Sequence, residues 1–260
     1  MHLPEHSQTL LSRIEDASLN ASAAPQQRWL DGWLVRYCPG KARRSRSVNA
    51  VADGRMPLSH RLAACADVFR QAGLPMIFRV TPFSRPSGLD DWLQRQGFYR
   101  HDETHVMVAA DMAMPNERIA PGLELRRLTG ADFAEQVGAL RGSPDEHRQS
   151  HAQRLMHSPV PYQAWVLRRH DDGLILACGQ MATEAELVGL YDIFTHPEHR
   201  GQGLSRQLCA ALLAHARAEG ARTAYLQVDA SNAPAQAVYR RLGFVDSYHY
   251  HYRTLEADAH

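Results

Sequence analysis

Cysteine is scarce and scattered in this chain of 260 residues. Cys38, Cys65, Cys178 and Cys209 form no Cys-x-x-Cys pair. That spacing suits a reducing cytoplasm better than a disulfide framework. Long apolar runs are missing too: none approaches the roughly 18 residues that a membrane span needs. Met1-His2-Leu3-Pro4-Glu5-His6 lacks a charged segment followed by an apolar one, so no signal peptide is expected. Excess charge of either sign is absent. Lys and Arg number 29 against 28 Asp and Glu, leaving a net charge of +1. Nothing global therefore attracts nucleic acid or an anionic membrane. The one basic run, Lys41-Ala42-Arg43-Arg44-Ser45-Arg46, lies between strand-like segments and reads as a solvated hairpin.

What the sequence does hold is an ordinary globular balance, 44% hydrophobic and 22% charged, long enough for one large domain or two ordinary ones. The informative stretch runs from Leu187 to Phe244. Leu187 to Phe194 is an apolar run interrupted only by Gly189 and Asp192, and it reads as a buried strand. A turn with two glycines, Gly201 and Gly203, follows. Leu204, Leu208, Ala211 and Leu212 then recur at helical spacing until Gly220 stops the helix. A strand that passes through a glycine turn into a helix points free backbone N–H groups at one spot, with the helix dipole adding positive potential. That arrangement binds anions, phosphate above all. It lacks the Gly-Lys-Ser/Thr of a Walker loop and the third glycine of the dinucleotide fingerprint.

Arg200-Gly201-Gln202-Gly203-Leu204-Ser205 resembles the pyrophosphate loop of the GNAT superfamily of acetyl-CoA-dependent N-acetyltransferases, Arg/Gln-x-x-Gly-x-Gly/Ala, with Ser205 at the last place. Downstream, Tyr225-Leu226-Gln227-Val228 reads as a strand and Asn232 as a helix cap. Asn232-Ala233-Pro234-Ala235-Gln236-Ala237-Val238-Tyr239-Arg240-Arg241-Leu242-Gly243-Phe244 is similar to the same family's Asn-x-x-Ala-x-x-x-Tyr-x-x-x-Gly-Phe. The fold the resemblance implies is mixed α+β: two GNAT-like domains, each a mostly antiparallel twisted sheet flanked by helices.

Along the chain, a short amphipathic helix is expected after Ser7, and strands at Trp33–Tyr37 and Ser47–Val51 around a Pro39-Gly40 turn. Helices follow at 58–72 and 89–96, strands at 76–80 and 104–109. A degenerate first domain over 1–112, a linker over 113–121 and a catalytic domain over 122–260 are expected. In the second half, strands are expected at 123–128, 162–168 and 174–182, a helix capped by Asp132 running to Leu140, and a polar helix over 144–157. The halves look like a repeat. Gly73 to Phe98 spans 25 positions and Gly220 to Phe244 spans 24. The first copy has lost the chemistry: Pro57, without an N–H, falls where Gly203 does, and Leu93 falls where Tyr239 does.

The resemblance implies acetyl-CoA lying between the strands that end at Thr195 and Val228. Its pyrophosphate would rest on Arg200, Gly201, Gln202, Gly203, Leu204 and Ser205. Backbone at Ile193, Phe194 and Thr195 would hold the pantetheine, and Asn232 would sit beside the cofactor. Tyr239 would protonate the departing thiolate; a phenol with pKa ~10 is still protonated at neutral pH. An amine of lysine-like pKa needs to lose a proton, and Glu184, Glu186 and Asp192 are the candidate bases. By strand alternation, Asp192 shares a face with Leu190 and opposes Gly189 and Tyr191. His147 and His151, four apart after Glu146, read as a polar face or as part of an acceptor pocket, with no metal expected. The activity implied is direct acetyl transfer to a primary amine of a small molecule or protein; the alternative is a non-catalytic acyl-CoA-binding regulatory module. Neither membrane nor nucleic acid is an expected partner. The chain is expected as a pseudo-dimeric monomer or a homodimer.

Overall fold

A computed structural model describes residues 5–39, 42–110, 112 and 118–255. In chain order the elements are α1 (Glu5–Ala21), β1 (Gln27–Leu30), β2 (Trp33–Arg36), β3 (Val48–Asn49), α2 (Leu58–Ala72), β4 (Ile77–Val80), α3 (Leu89–Arg95) and β5 (Tyr99–Ala109). Then come β6 (Leu123–Leu128), α4 (Gly130–Leu140), α5 (Asp145–Met156), β7 (Tyr162–Arg169), β8 (Ile175–Glu184), β9 (Leu187–Thr195), α6 (Leu204–Ala218), β10 (Thr223–Asp229), α7 (Ala233–Arg241) and β11 (Val245–Thr254). The fold is mixed α/β, as the sequence implied.

The chain forms two compact units. The larger contains Met1–Ala21 and Val106–Ser247, the smaller Ser22–His105 and Tyr248–His260. This differs from a contiguous division at the linker in three segments, for a reason that lies in strand pairing and helix contacts. The end of β5 belongs with the larger unit, whose strand order is β5-β10-β9-β8-β7-β6. Most of β11 belongs with the smaller unit, where it pairs antiparallel with β4, Tyr252 opposite Arg79. Helix α1 joins the larger unit through Arg13–Glu186 at 2.5 Å and Asn20 Nδ2 donating to Glu184 at 3.1 Å. Residues 113–117 of the expected linker lie outside the described residues, as do Gly40 and Lys41.

Each unit places one parallel strand pair around a helix, β3 with β4 around α2 and β9 with β10 around α6. The pairs β1–β2, β2–β3, β4–β11, β6–β7, β7–β8 and β8–β9 are antiparallel. The stops match as well: Gly73, Gly97, Gly220 and Gly243 all adopt positive φ, the left-handed conformation that ends a helix without steric cost only for glycine. Each unit has its own core. In the smaller, Trp33, Phe78 and Phe98 stack edge to face at 5.6 and 5.5 Å over Phe69 and Leu93. In the larger, α6 covers one face through Leu204, Leu208 and Leu212 against Val188, Leu190 and Leu226. The opposite face packs Phe133, Val137 and Leu155 of α4 and α5 on Val166 and Cys178. At roughly 1.5–3 kcal/mol per fully buried large apolar side chain, these faces dominate the stability of each unit.

Three local expectations are corrected. β1 was not expected; it forms a hairpin with β2 over Asp31-Gly32, both at positive φ, the two-residue turn that Asp-Gly favours. The cap of α4 is Thr129, whose Oγ1 accepts from the Asp132 N–H at 3.1 Å. Asp132 closes the reciprocal side of this cap by accepting from the Thr129 hydroxyl at 2.7 Å. The basic run is no solvated hairpin: Arg43–Ser45 forms a 3-10 turn, Arg43 pairs with Asp102, and Arg46 is buried.

Candidate active site

The glycine turn forms as its residue types require. Gly201 and Gly203 have φ of 79° and 75°. A Cβ at either would meet nothing within 4 Å, so their conformation demands glycine while the space beyond them is open. Gly203 caps α6, and the first bond of the helix runs from the Gln207 N–H to the Gly203 carbonyl at 3.1 Å. The N–H groups of Leu204 and Ser205 therefore have no intrahelical acceptor and point out of the helix start. With the helix dipole behind them they form an anion cradle. Gln202 projects from the turn and is exposed. Arg200 lies with its guanidinium 5.7 Å over the Phe194 ring and so frames the turn.

Leading into that turn, β9 and β10 separate. Their parallel register covers Leu187–Leu190 against Thr223–Leu226 and stops there. From Tyr191 to Thr195 the edge of β9 has no β10 partner, so alternate N–H and C=O groups face a wedge between the strands. The cause is a bulge. β8 keeps register with β9 at Gln180–Tyr191 and at Cys178–Phe194, so Asp192 and Ile193 together oppose Gly179. Asp192 adopts φ 52°. Gly179 opposite it leaves room for Ile193: a Cβ there would lie 2.5 Å from Ile193 Cδ1, which would have to shift. Gly189 is explained in the same way, since a Cβ would lie 2.6 Å from the Tyr191 ring and 2.7 Å from that of Tyr225. Those two tyrosines share a buried hydroxyl contact of 2.9 Å.

The bulge overturns the expected alternation. Leu190 and Ile193 pack on the α6 side, whereas Asp192 points to α4 and α5, away from Leu190. Its carboxylate lies 3.4 Å from Arg141 Nη1 and 3.2 Å from His151 Nε2. The His151 nitrogen is out of line for a hydrogen bond, so the contact is one of close approach. Burial pushes the Asp192 carboxyl up, but the His151 contact and the charges of His151, Arg141 and Arg154 outweigh it and hold the group well below the usual carboxylate range.

Tyr239 is buried on α7, edge to face with Phe244 at 6.1 Å. Burial, and then the neighbouring Cys209, pushes its phenol above the ordinary value. Asn232 caps α7, its Oδ1 accepting from the Ala235 N–H at 3.2 Å. Asp192, Ile193, Phe194 and Thr195 thus line one stretch of β9 ahead of the turn. Glu184 and Glu186 do not join them. They flank the β8–β9 turn, some six residues or about 20 Å of strand from Asp192, bound to Asn20 and Arg13. In the smaller unit Pro57 caps α2 and Leu93 is fully buried. Sequence reasoning missed Arg141; the only signal was a basic residue at the end of an expected helix.

The family model described as "Probable histone acetyltransferase Rv0428c C-terminal" matches residues 11–254. An uncharacterized N-acetyltransferase of Bacillus subtilis, YobR, is 26% identical over 247 residues, covering 94% of this chain and 98% of its own. The mycothiol acetyltransferase of Kocuria rhizophila is 44% identical over 230 residues, 86% of this chain and 66% of that protein. The mycothiol acetyltransferases matched are longer, and the chain spans between 20% and 66% of their length. Among solved structures, a GCN5-related N-acetyltransferase from Kribbella flavida has the same fold, with a TM-score of 0.67, 18% identity and 94% of both chains covered.

Proposed function

Because the chain belongs to the family of the Rv0428c C-terminal acetyltransferase domain, within the GNAT superfamily, we propose that it moves an acetyl group from acetyl-CoA directly to a primary amine. The observation that carries this reading is the wedge beyond Leu190 and Leu226, with the Gly201–Gly203 turn and the start of α6 downstream of its β9 side. A pantetheine arm can pair with the unpartnered edge of β9 at Ile193 and Thr195, as an added strand would. The pyrophosphate then rests on the N–H groups of Gly201, Gly203, Leu204 and Ser205, with Arg200, Phe194 and Gln202 shaping the turn. Asn232 fixes the start of α7 and so the position of Tyr239.

Attack by a neutral amine on the thioester carbon expels the CoA thiolate. Tyr239 gives that sulfur its proton. Its raised pKa keeps the phenol protonated until charge develops on sulfur. The base is the harder assignment. Asp192 is already engaged by Arg141 and His151, and Glu186 by Arg13, so we propose that the amine proton leaves through water. None of the four cysteines is in a disulfide, which fits a reducing cytoplasm. No helix among the described residues is long and apolar enough to cross a membrane.

The test is calorimetry of acetyl-CoA binding, followed by a screen of primary amines for release of CoA thiol. One acetyl-CoA per chain and thiol release with some amines are expected. Absence of binding overturns the donor assignment. Two per chain overturns the reading of Pro57 and Leu93 as a lost site.

A further inference from the structure

Asp192 is a residue with a side chain held at φ 52°, a conformation that persists only where its surroundings enforce it. Two helices enforce it here. Arg141, at the C-cap of α4, donates Nη2 to the Asp192 main-chain carbonyl at 2.9 Å while Nη1 lies 3.4 Å from the carboxylate. One guanidinium thus grips the backbone and the side chain of the same residue. The same guanidinium lies 5.0 Å over the ring of Phe194, two residues on. His151 of α5 meets the other carboxylate oxygen at 3.2 Å, and its ring is set edge-on to Phe133 of α4 at 6.2 Å. Arg148, also on α5, ties that helix to α4 through Glu135 at 3.1 Å and to the intervening loop through the Ser143 carbonyl at 2.9 Å. The strained residue is therefore fixed by two groups, Arg141 and His151, on helices that are themselves tied together.

The charges face one another completely. Among the described residues Asp192 is the one carboxylate that meets Arg141 and His151, and its other neighbouring charge is Arg154. A carboxylate so closely faced by basic groups is a structural anchor, and a poor place for a group that must take and release protons. What it anchors is the bulge that turns the β9 edge from pairing with β10 to facing the wedge.

We propose that Arg141 and His151 are positioning residues that pin the Asp192 bulge, and that through it they aim the β9 backbone N–H groups at the thioester carbonyl. This rests on the reading that acetyl-CoA occupies the wedge. Misplacing a reacting group by about 1 Å costs on the order of 10²-fold in rate. Arg141→Met keeps the stem over Phe194 and removes both polar contacts. It should lower kcat about 10- to 100-fold while the KM for acetyl-CoA, which is dominated by the pyrophosphate turn, changes less than about threefold. His151→Gln should give a smaller loss of the same kind.

Two readouts separate positioning from general destabilisation. The first is the carbonyl stretch of bound acetyl-CoA, by infrared difference spectroscopy with the thioester carbon labelled. Wild type should show the stretch shifted to lower frequency, and Arg141→Met should return it toward the free value. The second is rescue. Glycine tolerates φ 52° without a clamp, so Arg141→Met combined with Asp192→Gly should recover at least tenfold of the lost kcat. If the stretch is the same in wild type and Arg141→Met, or the double variant is no faster than the single one, the clamp is overturned while the donor assignment stands. If wild type binds no acetyl-CoA, both fall.

Discussion

Replacing Tyr239 with Phe isolates one hydroxyl. The ring is buried and packs on Phe244, so Phe fills the same volume. The hydroxyl has no hydrogen-bond partner among the described residues, so its removal leaves no buried group unsatisfied and is close to neutral for folding. A loss of 1 kcal/mol would shift the melting temperature of a domain this size by about 2–4 °C, and the shift should be smaller than that. Catalysis should respond differently. General acid assistance is worth about 10²- to 10⁴-fold, which corresponds to roughly 2.7–5.4 kcal/mol in the barrier. Acetyl-CoA affinity, measured by calorimetry, should hold. The pH profile adds a second check. Burial raises the phenol's pKa, so the proton-bearing form persists past the ordinary ~10. Wild-type kcat should therefore show no alkaline fall from this group below about pH 10. Turnover within about threefold of wild type would remove Tyr239 from the mechanism, whatever the melt shows.

Gly203→Glu sets a charged side chain in the open space beside the α6 start, where no protein atom lies within 4 Å; acetyl-CoA affinity should fall by at least 100-fold with the circular dichroism spectrum retained, and unchanged affinity by calorimetry would refute the cradle. Burial pushes the thiols of Cys65, Cys178 and Cys209 up to about 12, so a chromogenic disulfide should titrate one thiol, Cys38, in the native chain and four in denaturant. Asp192 has a depressed pKa when folded, so its stabilising contribution is complete above the unfolded value of ~3.9 and lost as pH falls below it. Asp192→Asn should therefore be less stable than wild type at pH 7, and urea melts should show the gap narrowing below about pH 4; a constant gap would mean that the carboxylate's charge contributes nothing.

Much of the fold was legible because the signals are local. Leu123–Leu128 and Leu58–Ala72 follow apolar period and a stopping glycine, and both stand where those signals place them. The Asp31-Gly32 hairpin was equally local but followed a strand only four residues long, too short for a periodic pattern. The glycine turn and its helix were readable because φ near 75° leaves glycine as the natural choice at Gly201 and Gly203. The face of Asp192 was not. Alternation predicts side-chain direction only while the ladder keeps its register, and the extra residue opposite Gly179 breaks it. The distance of Glu186 from the wedge, and the grip of Arg141, depend on contacts between residues 51 to 173 apart in sequence, which no spacing rule reaches.

In the first half Pro57 and Leu93 stand where Gly203 and Tyr239 stand in the second, yet the sheet of the larger unit takes in the end of β5, a strand that begins in that half. In return β11, the last strand, is spent beside β4. A chain cut at the linker would therefore yield two fragments, each short of a border strand and each exposing a raw sheet edge. For inheritance the two halves are therefore one unit: either half, moved at the linker, would leave behind a strand that its own sheet uses.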